Sequence, residues 1–192
     1  MQRPTKEEIR AFPLYAGLGL ADIHVVENEQ DAALALDALH HTLRLGFDTE
    51  SKPTFRKGEM SAGPTLIQLA TESQAFLFPT RFAAAVSAAR VILSNPNIKK
   101  VGFGIRGDIN ELRAKLDIEL VNTEDLSLVL KHLFEEKNAI GARAAVAMVL
   151  KQRLTKGAQT SNWGAYPLQK HQLEYAANDA HAAICIAQAL DI

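Results

Sequence analysis

The sequence predicts a single α/β domain in which helices cover a mixed β-sheet. The chain has 192 residues, of which 47% are hydrophobic and 22% charged, a size and composition typical of one globular domain. Three consecutive strand-like runs occupy its first half, and strand-like and helical runs alternate after them. Strands joined by a short turn pair antiparallel, whereas strands joined by a helix pair parallel, so one sheet should contain both arrangements.

The chain begins with two predicted helices separated by a short strand. Thr5, which precedes an acidic turn, is typical of a helix N-cap and predicts a short helix that ends near Pro13. A brief strand over residues 23–27 and a helix over residues 28–41 follow it.

Three strands open the middle of the chain, and helices and strands then alternate. The strands are expected at residues 43–50, 64–71 and 74–79. Only polar residues separate the last two, which indicates a hairpin. A helix, a strand and a second helix are expected at residues 81–93, 99–104 and 108–116. The remaining predictions are a strand and three helices at residues 120–122, 124–134, 142–150 and 171–191.

Composition argues against several classes of protein. Basic and acidic residues nearly balance, 21 against 22, so nucleic-acid binding needs a local patch. The single cysteine, Cys185, excludes a disulfide framework or a cysteine zinc site and favours a reducing compartment. No uncharged apolar run reaches the roughly 18 residues of a membrane span, and the first residues do not resemble a signal peptide. We therefore expect a cytoplasmic protein without membrane contact.

Two acidic residues end the first of the three central strands. Strand alternation places Asp48 and Glu50 on one face, about 7 Å apart, with Phe47 and Thr49 on the other. Carboxylates so close repel one another unless a cation lies between them, and their oxygens are the ligands that Mg²⁺ and Mn²⁺ prefer. A solvated strand end is the alternative, since the same Asp-x-Glu spacing recurs from Asp117.

A strand rich in glycine precedes Asp108. Residues 101–107 read Val-Gly-Phe-Gly-Ile-Arg-Gly, and Asp108 stands where the next helix should begin. An acid at that place caps a helix and complements its dipole, so a helix cap is the alternative to a role in chemistry, and the two are compatible. The three glycines are a poor dinucleotide fingerprint, because no strand with an acidic end follows about 20 residues later.

The last predicted helix carries a phenol and a carboxylate on one face. Tyr175 and Asp179 are four residues apart, hence neighbours on a helix, and they lie away from its apolar stripe. Both side chains can therefore point into one cleft. The alternative is an amphipathic tyrosine at the edge of the core beside a surface aspartate.

Taken in order, Asp48-x-Glu50, Asp108 and Tyr175-x-x-x-Asp179 resemble the three exonuclease motifs of the DEDD superfamily, specifically of its DEDDy branch. The similarity to Werner-type and ribonuclease D-type exonuclease domains extends over about residues 25–190. The further segments that carry it are Val-Gly-Phe-Gly-Ile at 101–105, Thr-Leu-Ile-Gln-Leu at 65–69 and the run from Trp163 to Pro167-Leu168.

The resemblance implies a ribonuclease H-like fold, with a mixed five-stranded sheet and helices on both faces. It also implies two divalent cations, Mg²⁺ or Mn²⁺, held by the carboxylates of Asp48, Glu50, Asp108 and Asp179. Tyr175 would orient the attacking water. The implied activity is two-metal-ion hydrolysis at the 3′ end of single-stranded DNA or RNA, with release of nucleoside 5′-monophosphates. We expect residues 1–192 to form one catalytic domain.

The chain departs from the family pattern at several positions. Position 51, often bulky or aromatic in the Werner-type branch, is Ser51. Phe103 and Gly107 stand where ribonuclease D and polymerase relatives commonly have asparagine and an aromatic residue before the second acid. The sister DEDDh branch has a histidine five positions before the last acid, and Glu174 occupies that position here. The tyrosine-containing branch is therefore favoured.

Substrate contacts are expected beside the motifs, because a single-stranded end is held by bases stacked on aromatic side chains and by cations at phosphates. The candidates are Phe103, Arg106, Lys156 and Trp163, with Arg56 and Lys57 after the first motif. Solvated surface charges are the alternative for the basic residues, and a core position is the alternative for Trp163.

Two other functions fit the same residues. A nucleic-acid-binding module of the same fold would need a partner for activity and would bind without metal-dependent turnover. A metal-dependent phosphohydrolase of small nucleotides would cleave a mononucleotide but no oligomer. DNA and RNA are both candidate substrates, because the 2′-OH is sensed by a few contacts that the motifs do not specify.

Overall fold

A mixed β-sheet lies at the centre of the computed structural model, which describes residues 3–52, 61–155, 157–158 and 160–192. Within these residues the sheet has six strands in the order β1-β4-β3-β2-β5-β6. The strands are β1 (Ile23–Val25), β2 (Arg44–Ser51), β3 (Pro64–Ala70), β4 (Ala75–Pro79), β5 (Lys99–Gly102) and β6 (Thr123–Asp125).

Seven α-helices in the described part of the chain surround the sheet. They are α1 (Lys6–Ala11), α2 (Glu29–Leu39), α3 (Ala83–Leu93), α4 (Arg106–Leu116), α5 (Leu126–Leu133), α6 (Ala142–Ala145) and α7 (Lys170–Leu190). A 3₁₀ turn covers Leu20–Asp22, and a π-helical turn, Val146–Leu150, continues α6. None of these helices combines the length and hydropathy of a membrane span.

The strand pairing confirms the predicted mixed sheet. Strand β3 pairs antiparallel with β2 and with β4, whereas the other three pairs, β1 with β4, β2 with β5 and β5 with β6, are parallel. The strand count of five that the resemblance implied was wrong, because the strand predicted at residues 23–27 also joins the sheet. The sixth strand is β1, whose three residues pair with β4 from Ile23 opposite Ala75 to Val25 opposite Leu77. This pairing gives hydrogen-bond partners to backbone groups of β4, which would otherwise be the edge strand of the sheet.

The last strand lies three residues later than predicted. Ile118 and Leu120 are buried, but they extend into the core from a loop rather than from a strand. Asn122 has a left-handed backbone with φ of 49°, and the sheet pairing of β6 begins at the next residue. The apolar residues at 118–121 therefore reflect burial in the core rather than pairing in a strand.

Helices cover both faces of the sheet and enclose two apolar clusters. One face packs against α2, α3 and α4, and the other packs against α5, the α6 region and α7. Helix α7 lies close to β2 because Gly46 has no side chain: a Cβ atom there would stand 1.9 Å from the Ala180 carbonyl oxygen. This close approach brings the middle of α7 to the strand that carries the first acidic motif.

Candidate active site

Three carboxylates from two elements meet at one end of the sheet. Asp48 and Glu50 extend from β2, and Asp179 extends from α7. Each is half-buried, and one ligand oxygen from each lies within 4.8 Å of the others. Carboxylate oxygens at this separation match the donor set that hard divalent cations prefer, so the residues present fit a Mg²⁺ or Mn²⁺ site.

Asp108 reaches the same region from α4. The helix begins at Arg106, so Asp108 lies in its first turn, and the predicted capping position is occupied by Ile105 instead. Its carboxylate accepts a hydrogen bond from the Thr49 hydroxyl. Thr49 points to the opposite side of β2 from its neighbours Asp48 and Glu50, as the alternation predicts. Asp108 is outside the cluster of three oxygens, but its charge raises the pKa of both Asp48 and Glu50.

Burial and mutual repulsion disfavour the ionised form of these acids. Desolvation raises the pKa of Asp48 well above its ordinary value, and the charges of Asp179 and Asp108 raise it further. The same causes raise the pKa of Glu50 to about 8. Burial raises the pKa of Asp179 to about 6, although the Tyr175 hydroxyl and the charge of Arg143 oppose this shift. A bound cation would restore the ionised carboxylates, because an opposite charge nearby favours the charged form.

Gln68 lies directly opposite Asp48 in the pairing of β2 and β3. Its side chain is fully buried, and among the residues that the structure describes neither its amide nitrogen nor its amide oxygen has a hydrogen-bond partner. Antiparallel partners share a face of the sheet, so this amide lies on the face that carries Asp48. The site therefore contains an unsatisfied polar group next to its first carboxylate.

Tyr175 and Asp179 are neighbours on α7, as the spacing predicts. Desolvation and the nearby charges of Asp179 and Glu50 raise the pKa of the phenol, so Tyr175 keeps its proton at neutral pH. Its ring packs against Trp163, with ring centroids 6.1 Å apart. Trp163 is only 3% exposed, so it occupies the core position that the sequence left as an alternative. It supports the tyrosine and has no free face for stacking on a base.

A cavity of about 590 Å³ opens beside the carboxylates, and we call it the acid cavity. Its walls include Asp48, Glu50, Tyr175 and Asp179 together with Phe103, Gly104, Arg143 and Thr155. Of the four candidate substrate contacts, half-buried Phe103 lines this cavity, and Arg106 is exposed at the start of α4. Lys156, like Arg56 and Lys57, lies outside the described residues.

Several residues of the site were not predicted from the sequence. Arg143 lines the acid cavity and lowers the pKa of Asp179. It comes from an alanine-rich helical run in which one arginine is an unremarkable surface residue. The hydroxyl of Thr49 bonds Asp108, and its only signal was its place between the two acids. Nothing in the sequence indicates the role of Gly46, because the residue that requires a glycine there, Ala180, lies 134 positions later in the sequence.

Comparison with known protein families gives one match that covers most of the chain. The family model described as 3′-5′ exonuclease matches residues 23–191. Similar curated proteins include two that are at least 30% identical over more than two thirds of this chain. The mouse bifunctional 3′-5′ exonuclease/ATP-dependent helicase WRN is 31% identical over 149 residues, which is 76% of this chain and 11% of that protein. An Arabidopsis thaliana 3′-5′ exonuclease is 30% identical over 142 residues, 72% of this chain and 49% of that protein. The chain thus spans about half or less of these relatives.

Solved structures show the same architecture. The EXO domain of Aedes aegypti Nibbler superposes with a TM-score of 0.80 at 26% identity, covering 94% of this chain and 91% of that one. Ribonuclease D of Trypanosoma brucei has a TM-score of 0.78 at 21% identity, covering 88% of this chain and 64% of that one, a likeness of fold. This chain, which carries the acidic cluster, therefore has the same fold as these solved structures.

Proposed function

Since this chain belongs to the 3′-5′ exonuclease family, we propose that it is a divalent-metal-dependent enzyme that acts on single-stranded DNA or RNA. It would hydrolyse the last phosphodiester bond at the 3′ end and release a nucleoside 5′-monophosphate. The observation that carries this proposal is the cluster of Asp48, Glu50 and Asp179, whose oxygens lie within 4.8 Å of one another. The cluster lines a cavity of about 590 Å³, a volume within the usual range for a site that holds a small ligand.

The carboxylates would hold two divalent cations. Asp48, Glu50 and Asp179 already converge, and Asp108 adds a fourth carboxylate from α4. A bound pair of divalent ions supplies an activated water and stabilises the charge on the attacking and leaving oxygens. Mg²⁺ and Mn²⁺ both suit a site built from carboxylate oxygens.

Tyr175 would act by orienting the attacking water. Its raised pKa means that the phenol is protonated at neutral pH and donates a hydrogen bond rather than removing a proton. Trp163 packs against the Tyr175 ring and limits its movement. The hydroxyl is held beside Asp179, so water near that carboxylate would lie within its reach.

Arg143 and Phe103 would contact the substrate. Arg143, like Arg3, places a guanidinium in the wall of the acid cavity, and the substrate must bring a phosphate to the carboxylates there. Phe103 offers an apolar surface in the same cavity on which a base can stack. Among structures with this fold, Trypanosoma brucei ribonuclease D has been solved in complex with RNA U12. RNA is therefore tested beside DNA.

The test uses 5′-labelled single-stranded DNA and RNA of one sequence, incubated with Mg²⁺, Mn²⁺ or EDTA. We expect a ladder that shortens from the 3′ end with either metal and is absent in EDTA. Tyr175→Phe should retain the fold and lose about 10- to 100-fold in rate, the cost of a misplaced reactant.

Three outcomes would contradict the proposal. Oligomers bound without turnover by folded protein would indicate a binding module that needs a partner. Hydrolysis of a mononucleotide but of no oligomer would indicate a phosphohydrolase. Cleavage that persists in EDTA would exclude the metal mechanism.

A further inference from the structure

Helix α7 is bound by residues 12–18, which we call the N-terminal segment. The backbone nitrogen of Leu18 donates a hydrogen bond of 2.8 Å to the side-chain oxygen of Asn178. The Tyr15 hydroxyl lies 2.9 Å from Nδ1 of His181, a buried histidine three residues further along the helix. The middle of α7 is therefore bound at two positions by one short stretch of chain from the start of the sequence.

The N-terminal segment is also attached to the residues that follow the π-helical turn. The backbone nitrogen of Arg153 donates to the Pro13 carbonyl at 2.9 Å, and the Arg153 carbonyl accepts from the backbone nitrogen of Tyr15 at 3.0 Å. The Arg153 side chain donates through Nε to the Phe12 carbonyl at 3.0 Å. The segment therefore cannot move away from α7 without breaking hydrogen bonds to a second part of the chain.

His181 connects the N-terminal segment to the sheet. Its Nε2 lies 3.0 Å from the carbonyl oxygen of Glu72, in the turn between β3 and β4. A carbonyl oxygen only accepts hydrogen bonds, so Nε2 carries the proton and Nδ1 accepts from the Tyr15 hydroxyl. The imidazole thus joins the segment, the helix and the β3–β4 turn through two hydrogen bonds.

Gly17 allows the N-terminal segment to approach α7 closely. A Cβ atom at this position would lie 1.8 Å from the side-chain oxygen of Asn178 and 2.4 Å from its Cγ atom. A larger residue would have to displace the segment or turn the Asn178 side chain away. Either movement breaks the hydrogen bond from Leu18, so the glycine and this bond belong to one contact.

Two glycine contacts hold α7 at the residues on either side of Asp179. Asn178 meets the N-terminal segment at Gly17, and Ala180 meets β2 at Gly46. At 100° per residue these two helix positions lie about 160° apart around the axis. The segment therefore opposes movement of the helix away from β2, and Asp179 lies between the two contacts.

We propose that Asn178 is a positioning residue, through which the N-terminal segment keeps the Asp179 carboxylate beside those of Asp48 and Glu50. This inference rests on the proposed exonuclease function. The three carboxylates lie within 4.8 Å of one another, and like charges at this separation repel. A contact that resists this repulsion keeps the ligands assembled before a metal ion arrives, and a preorganised site binds more tightly.

The test compares two variants that break the contact with one that does not. Asn178→Ala removes the acceptor of the hydrogen bond, and Gly17→Ala introduces the crowding. The double variant combines both changes. Gly19→Ala is the control, because its backbone, with φ of −83° and ψ of 166°, accepts any residue and its Cβ atom would meet none of the described residues within 4 Å.

The measurement is equilibrium binding of Mn²⁺ in the presence of a nucleoside 5′-monophosphate, below the melting temperature of each variant. Gly17→Ala and Asn178→Ala should each weaken binding by about three- to tenfold, less than loss of a direct partner of a ligand. The double variant should be no weaker than Asn178→Ala, since both changes break the same contact. Gly19→Ala should bind like the wild type.

The kinetics distinguish positioning of a ligand from a general loss of structure. At limiting Mn²⁺, Asn178→Ala should lower kcat for a single-stranded oligonucleotide and leave its KM unchanged, because Asn178 acts through the backbone of α7. Excess Mn²⁺ should restore kcat. A kcat that stays low at saturating Mn²⁺ would overturn the proposal.

Unchanged Mn²⁺ affinity in folded Asn178→Ala would also overturn it, as would losses that add in the double variant. Asn178→Ala decides alone if Gly17→Ala does not fold. Wild-type protein that binds Mn²⁺ but cleaves no oligonucleotide would contradict the exonuclease function and leave the affinity comparison valid. If the wild type binds no Mn²⁺, crystal structures of wild type and Asn178→Ala decide. An Asp179 carboxylate displaced from Asp48 supports the proposal, and an unchanged position overturns it.

Discussion

Asp48 lies among three other carboxylates, and its own charge is disfavoured by desolvation and by the charges of Asp179 and Asp108. The side chain is therefore kept for a purpose other than stability. In a protein without bound metal, removal of this charge should stabilise the fold. In the presence of metal, removal of a ligand should abolish cleavage.

We expect Asp48→Asn to raise the melting temperature in EDTA by about 2–4 °C, which corresponds to roughly 1 kcal/mol for a domain of this size. The same variant should lose at least about 100-fold in metal-dependent cleavage, since loss of an outer-shell partner alone costs 10- to 100-fold. Differential scanning calorimetry and the oligonucleotide assay measure the two effects. A lower melting temperature would mean that Asp48 supports the fold.

A second prediction for a single side chain concerns the stability of a Gln68 variant. Its buried amide has no hydrogen-bond partner in the described part of the chain, and an unsatisfied buried polar group costs about 1–3 kcal/mol. Gln68→Met keeps the shape of the side chain and removes both polar atoms. Its melting temperature should rise by about 2–12 °C. A decrease would show that the amide has a hydrogen-bond partner in solution.

The contact between β2 and α7 determines whether the acids of the two elements meet. Gly46→Ala would force a Cβ atom to 1.9 Å from the Ala180 carbonyl oxygen, and neither backbone can yield locally. We expect a loss of about 1–3 kcal/mol in the free energy of unfolding, measured by urea denaturation. Cleavage should fall as well, because Asp179 moves away from Asp48.

The control for Gly46→Ala is Gly107→Ala. A Cβ atom at Gly107 would meet none of the described residues within 4 Å, and the position lies in the first turn of α4. Its stability should be unchanged or slightly higher, because alanine is favoured over glycine in a helix. An equal loss in both variants would show that the crowding at Ala180 is not the cause.

The elements that can be predicted from the sequence are those that nearby residues determine. The hairpin of β3 and β4 was predicted because two apolar runs flank a polar turn. The position of β6 was not, because Ile118 and Leu120 are buried without strand pairing. Residues 14–19 have no periodic pattern, and the hydrogen bonds of Tyr15 with Arg153 and of Leu18 with Asn178 join residues more than 130 positions apart. The acids of the site were recognised by their order along the chain, whereas Arg143 became a candidate only when the fold placed it beside Asp179.

The metal-free molecule as a whole should become less stable as the pH rises. In the folded state the pKa of Glu50 is raised to about 8 and that of Asp179 to about 6, whereas unfolded carboxyls titrate near 4. The folded state therefore binds more protons than the unfolded state between about pH 4 and pH 8, and stability falls with pH over that range. We expect the melting temperature in EDTA to be lower at pH 8 than at pH 5.

Divalent metal should oppose this dependence. Metal binds the ionised carboxylates, so saturating Mg²⁺ should raise the melting temperature more at pH 8 than at pH 5. Glu50→Gln should flatten the slope in EDTA, because it removes a group that titrates in this range. A melting temperature in EDTA that rises from pH 5 to pH 8 would contradict the electrostatic description of the site.

The central claim is that carboxylates from β2, α4 and α7 form one divalent-metal centre. Its most direct test is equilibrium binding of Mn²⁺, followed through the electron paramagnetic resonance of the free ion, with a nucleoside 5′-monophosphate present. We predict saturable binding of about two ions per wild-type chain, with loss of at least one in Asp48→Asn and in Asp108→Asn. Folded wild-type protein that binds no Mn²⁺, or binding unaffected by either substitution, would contradict the claim.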